Sequence, residues 1–276
     1  ILPAAAGDYG PFSRNVFRCD STAAGNGQSD LPVACLSRNH SHWNTTLEEA
    51  KDMMITERKI SLPTYKLAYA FSFVVILSLI RGISFSYEIG IAMEAPMAAL
   101  AMVFCADTYT QEITSKRSEI HRLYPMKRRL SSIGMRMVLQ EIVLLALSAV
   151  GYVMFYGFQH PQSLYKAGQS TESEFEMFFI FLATMAVTLW FWGILSNLLA
   201  CLFRNMWVGI GCGIVLWLVT NSTLGEKLLG NWNLFSYTFR NVMDTQDFGW
   251  LYGKALCLLL CVAMALMTPK IIKKRG

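Results

Sequence analysis

Apolar residues gather in six long runs along the chain, at about 64–85, 89–106, 137–157, 177–203, 205–224 and 250–269. Each is close to the roughly 20 residues that an α-helix needs to cross the hydrocarbon of a bilayer. Strand-like alternation is absent from them, which excludes a β-barrel. The pattern predicts an all-α, polytopic membrane protein with six transmembrane helices. The first run has a short charge-free core, Leu67 to Ile80, so Arg81 is expected to snorkel outward. The second run carries Glu94 and Pro96, the third carries Glu141 near its start, and the sixth carries Lys254 near one end. The fourth and fifth are free of charge.

Two segments precede this six-span domain, which covers 64–276. Residues 1–45 are polar, rich in Gly, Ser, Asn and Ala, and read as a loop or tail. Residues 1–18 carry no basic region followed by an apolar core, so an intact signal peptide is not expected there. Residues 46–63 open on Thr46-Leu47-Glu48-Glu49, a capping pattern with acids in the first turn. Leu47, Met53, Met54 and Ile60 then alternate with charged residues up to Pro63. This predicts an amphipathic helix, either an ordinary connector or an element lying in the headgroup layer before the first span. The sequons at Asn39, Asn44 and Asn221 are short enough to arise by chance.

Composition agrees with the pattern. Hydrophobic residues make up 54% of the chain and charged residues 16%, whereas soluble domains carry about 25% charged residues. The net charge of +5 reflects one-sided Lys and Arg rather than nucleic-acid binding. With six spans, both termini, the 107–136 loop and Arg204 share one side. That side holds 19 of the 24 Lys and Arg residues; Arg81, Lys166, Lys227, Arg240 and Lys254 make up the other. The asymmetry predicts a multi-pass plasma-membrane protein with both termini in the cytoplasm. Five of the seven cysteines lie in apolar runs, where Cys behaves as a small hydrophobe. Cys19 and Cys35 lie in polar sequence on the side assigned to the cytoplasm, which disfavours their pairing.

The motifs of common chemistries are absent from the sequence. There is no phosphate-binding Gly-x-x-x-x-Gly-Lys-Ser/Thr loop, no His-Glu-x-x-His, no Gly-x-Ser-x-Gly and no Asp inside a span. His40, His42, His121 and His160 are scattered outside the spans. No catalytic residue, no metal site and no cofactor bound by this chain is expected, and an enzyme is the weak hypothesis.

The loop between the second and third runs is the most informative segment. Ile113, Ile120, Leu123 and Tyr124 form an apolar stripe, with Glu112, Lys116, Glu119 and Arg122 around it. Glu112 and Lys116 have the i,i+4 spacing of a helical charge pair. Pro125 stops the helix, and Lys127, Arg128 and Arg129 lead back towards the membrane. Such a short amphipathic helix, held between two spans, suits docking into a groove on a soluble partner.

Six spans, a pre-span amphipathic helix and a Glu-containing helix followed by Leu123-Tyr124-Pro125 resemble the ABC-2-type transporter permeases. The resemblance covers roughly residues 46–270. It departs from the family in the first 45 residues, since many members begin close to the pre-span helix. It implies a separate ATP-binding cassette subunit, which supplies ATP and Mg chemistry, and a second permease chain, identical or related. It also implies that 107–125 is the coupling helix, with Glu112, Ile113, Lys116, Glu119, Ile120, Leu123, Tyr124 and Pro125 as ATPase-coupling residues. The activity implied is ATP-driven export by alternating access.

Inside the spans, a carboxylate is costly and is a functional candidate by default. Glu94 and Glu141 are therefore candidates for a polar pathway or a helix contact. Glu141, about one turn inside its span, is expected to pair with Arg136 or to snorkel. Asn197 is expected to make an interhelical hydrogen bond, and Gly209 and Gly213 to allow close helix packing. The 221–249 loop is too apolar to float free. It is expected to dip back into the outer membrane face or to pack over a pathway exit, with Trp232, Phe235 and Tyr237 as external gate candidates. The apolar spans favour an amphipathic or hydrophobic cargo, such as a peptide, a drug or a lipid-like molecule, and contact with membrane lipid. The competing readings are an ion-coupled secondary carrier using Glu94, and a non-transporting scaffold or sensor.

Overall fold

The computed structural model describes residues 57–108, 110, 126–169, 172–240 and 247–275. The tail 1–45, most of the 46–63 segment and residues 112–125 lie outside the described residues. So do Cys19 and Cys35.

The described chain is helical. Residues 57–61 form a helical turn ahead of Pro63. Then come α1 (Thr64–Ile80), α2 (Glu88–Cys105), α3 (Met126–Gln159), α4 (Glu174–Phe203), α5 (Met206–Thr220), α6 (Thr223–Leu229), a 3-10 turn (Gly230–Trp232) and α7 (Gly249–Arg275). Among the described residues no strand forms, and Phe85 and Gln162 make one isolated bridge across two interhelical turns.

Among the described residues four helices, α2, α3, α4 and α7, are long and apolar enough to cross a membrane. α1 is apolar but has 17 residues and ends at Ile80. The fifth apolar run, expected as one span over 205–224, is broken. α5 stops at Thr220, and the axis turns by 73° into α6 and the 3-10 turn. The cause is local. Asn221 closes α5, and the Ser222 side chain accepts from the Gly225 amide at 3.3 Å to start α6. Gly225 lies so close to the Val219 and Thr220 backbone that a side chain there would collide with it.

Other helix ends are set by equally local chemistry. Ser173 and Glu176 make a reciprocal capping box at the start of α4. Arg204 takes the left-handed conformation, φ 54°, and turns the chain from α4 into α5. Asn205 then caps α5 through the Trp207 amide at 2.9 Å. α3 is 34 residues long, about 51 Å at the usual rise. That exceeds the hydrocarbon thickness of about 30 Å, so α3 is longer than a single crossing requires.

α2 is the enclosed helix. Within its apolar stretch 72% of the residues are buried, against 22% in α7. One core cluster joins α1, α2, α3 and α4 through residues such as Val74, Met97, Leu144 and Phe181. A second joins α2, α4, α7 and residues 234–235, with Trp192 stacked on Phe235 at 5.4 Å. Large apolar side chains on α5 and α7, including Val215, Leu259 and Leu266, point outward, as expected for helices facing lipid.

α5 reaches this bundle through glycine. A Cβ on Gly209 would lie 2.6 Å from the Ala200 amide nitrogen, so α4 and α5 meet backbone to backbone. Gly213 lies under Met102 of α2. Gly211, between them, has open space around it. Substituting Gly209→Val should destabilise the protein by about 1–3 kcal/mol, the usual range for overpacking. Gly211→Val should be near neutral. Thermal unfolding of both variants in detergent measures the difference, and equal effects would contradict the close approach.

Candidate functional site

Glu94 lies two turns into α2 and is wholly buried. At the usual rise this is about 9 Å from the start of the helix. Lys254 lies in the second turn of α7 and is also buried. The two form an ion pair. The surrounding groups complete it. Thr188 of α4 donates to Glu94 Oε1 at 3.0 Å, and Thr238 donates to Oε2 at 2.6 Å. Lys254 Nζ also donates to Thr188 Oγ1 at 2.8 Å and to the Leu234 carbonyl at 3.1 Å. Three acceptors match the three protons of an ammonium group. Unpaired, either charge would be very costly in this apolar interior; together they are satisfied.

The cluster fixes the chain that follows α6. Residues 233–237 are buried although they belong to no helix. Asn233 donates to the Thr220 carbonyl at 2.9 Å and accepts from the Phe235 amide at 2.9 Å. Ser236 donates to the Trp250 carbonyl at 2.6 Å. Tyr237 covers Gly90 of α2, where a Cβ would meet its ring at 2.7 Å. Burial pushes the Tyr237 hydroxyl up to about 12, so it stays neutral. Arg240 pairs with Glu172 and lies over the Trp250 ring at 5.4 Å. Of the gate candidates, Phe235 and Tyr237 are therefore inside this buried segment, whereas Trp232 is 53% exposed. Beside the cluster, an apolar groove of about 390 Å³ runs between α4 and α7, lined by Ile180, Val187, Leu251 and Leu258, with Lys254 at its wall.

A second polar cluster lies at the opposite ends of α1 and α2. Lys66 of α1 pairs with Asp107 just after α2 and donates to the Phe104 carbonyl at 3.1 Å. Arg136 of α3 pairs with Glu57, and Ser132 donates to Glu57 at 2.6 Å. Gln140 accepts from Thr108 at 2.7 Å and donates to the Ser61 carbonyl at 3.2 Å. These bonds tie residues 57–61 and α1 to the two stems, 105–108 and α3, that flank residues 111–125. The coupling candidates Glu112, Ile113, Lys116, Glu119, Ile120, Leu123, Tyr124 and Pro125 themselves lie outside the described residues.

Two other expectations meet different outcomes. Glu141 does not pair with Arg136. Five residues along a helix rotate a side chain by about 140° from its neighbour, and Arg136 turns to Glu57 instead. Glu141 is buried against Cys105, whose thiol lies 3.8 Å from Oε1. Asn197 of α4 donates to the Met137 sulfur of α3 at 3.3 Å, a contact between helices.

Lys254, Thr188, Thr238, Lys66 and Asp107 are site residues that the sequence candidates do not include. A usable signal existed for the first. Lys254 lies in an apolar run, and a buried cation needs an acid such as Glu94. Among the described residues, no group of three or more His, Cys, Asp or Glu side chains is arranged to hold a metal ion.

Removing one partner of the central pair should be far worse than removing both. Glu94→Gln or Lys254→Met alone should cost about 3–5 kcal/mol, because each leaves a buried charge uncompensated. The double variant should recover much of that loss. Denaturant unfolding in detergent tests this, and additive losses would show that the pair is not coupled. No family model matches this chain, and neither a curated protein nor a solved structure matches it.

Proposed function

We propose that the chain is the transmembrane permease subunit of an ATP-driven ABC-type exporter. The cargo would be amphipathic or hydrophobic: a peptide, a drug or a lipid-like molecule. ATP and Mg would bind a separate cassette subunit. Two permease chains would form the pathway, each with six membrane-crossing segments and cytoplasmic termini. The broken α5–α6 unit would serve as the fifth of these segments and 107–125 as the coupling helix.

The supporting observation is the polar cluster around the stems of residues 111–125. A push on that segment meets α2 and α3 directly. Through Lys66–Asp107 and Arg136–Glu57 it also meets α1 and the turn at 57–61. Buried ion pairs have demanding geometry, so these helix ends move as one body or break costly bonds. At the far end of α2, Glu94 links the same helix to the 233–240 plug. In this reading one helix joins the driven end to the gated end. Such an arrangement suits alternation between two states whose populations a partner's nucleotide cycle sets.

Reconstitution with its cassette subunit should give cargo-stimulated ATP hydrolysis and ATP-dependent transport. Glu112→Lys or Glu119→Lys should abolish coupling while leaving insertion and thermal stability unchanged. Transport that persists without ATP and follows an ion gradient would favour the secondary-carrier reading. A chain that captures no ATPase and moves nothing would favour the scaffold.

A further inference from the structure

Four acids are buried among the described residues: Glu57, Glu94, Asp107 and Glu141. The first three pair with Arg136, Lys254 and Lys66. Glu141 has no such base. Its Oε1 takes the weak Cys105 thiol donor at 3.8 Å, and its Oε2 meets no donor among the described residues.

The surroundings offer little compensation for a negative charge. From α2 the facing titratable group is Cys105, and from α7 it is Cys261. From α4 the neighbour is Gly193, so close to Oε1 that a side chain at that position would overlap the carboxyl. Gln140, next in sequence, spends its amide on Thr108 and Ser61. Lys66 of α1, which faces the neighbouring Cys105, is already committed to Asp107 and the Phe104 carbonyl, and Arg136 is committed to Glu57. A carboxylate in such a place would be an uncompensated charge in an apolar interior. A carboxylic acid would lack only one hydrogen bond.

We propose that Glu141 is an intramembrane proton-binding site, occupied in the conformation described here. Its O–H bond breaks, and the proton passes to water, only when α3 and α4 part at Gly193 and admit water beside the carboxyl. The ligand is the proton alone. The site makes the α3–α4 contact responsive to protonation, whatever energy source drives the chain.

Infrared spectroscopy of the full-length protein in lipid nanodiscs tests this. At neutral pH a carboxylic-acid C=O band is expected, separate from the carboxylate bands. It should disappear in Glu141→Gln and persist in the Glu94→Gln/Lys254→Met double variant. Cys105→Ser puts a stronger donor on Oε1 and should move the band to lower frequency, which assigns it even if Glu141→Gln fails to fold. Absence of the band at neutral pH, or a band that neither Glu141→Gln nor Cys105→Ser alters, would overturn the proposal. Neither result depends on finding a cassette subunit, so the outcome is separate from that of the transport reading.

Discussion

The ion pair between Glu94 and Lys254 is the constraint around which the rest of the bundle is arranged. Two charges in an apolar interior are tolerable only when every lone pair and proton finds a partner. Meeting that demand takes α2, α4, α7 and the 233–240 segment together, through Thr188, Thr238 and the Leu234 carbonyl. Hydrophobic contact gives these helices no preferred rotation, since lipid is as apolar as their surfaces. The polar cluster supplies it. α2 must present Glu94 to α7, and the chain beyond α6 must return inward to complete the set.

The same principle explains the asymmetry between the two ends of the bundle. At one end, charges join helix stems on either side of residues 111–125. At the other, Glu174 gathers Tyr156, Ser163 and Ser86 around the start of α4. Gln159 holds the 81–83 turn through the Arg81 carbonyl at 2.7 Å and the Ile83 amide at 2.8 Å. Between them, aromatic and methionine side chains fill the bundle. Helix rotation is fixed by the polar layers, and the apolar layers are left to fill volume.

The helices were legible in the sequence because apolar runs of span length have few alternative structures in a bilayer. Their interruptions were harder to read. The break at Asn221-Ser222 lay within an uncharged run, and hydropathy does not register a capping serine or a crowded Gly225. Glu94 stood out as a costly acid, yet Lys254 read as an end residue; their pairing is a contact between distant segments that periodicity does not reveal. Glu141 invited Arg136 by proximity along the chain, although the two lie on different faces of α3. The 221–249 loop was legible as too apolar for solvent. Its bonds to Thr220, Trp250 and Glu94 were not, because they depend on where three other helices stand.

The order in which the chain is made adds a consequence. Glu94 and Lys254 are 160 residues apart. During synthesis α2 is laid into the bilayer long before α7 exists. On insertion scales a lone Asp or Lys at the centre of a helix is penalised by about 2.5–3.5 kcal/mol, and Glu94 meets that problem of an unmatched carboxyl until α7 arrives. The nascent α2 therefore has reason to linger beside the insertion machinery until its partner is made. Truncated or stalled chains that lack α7 leave this acid stranded, which gives quality control a chemical mark of incompleteness.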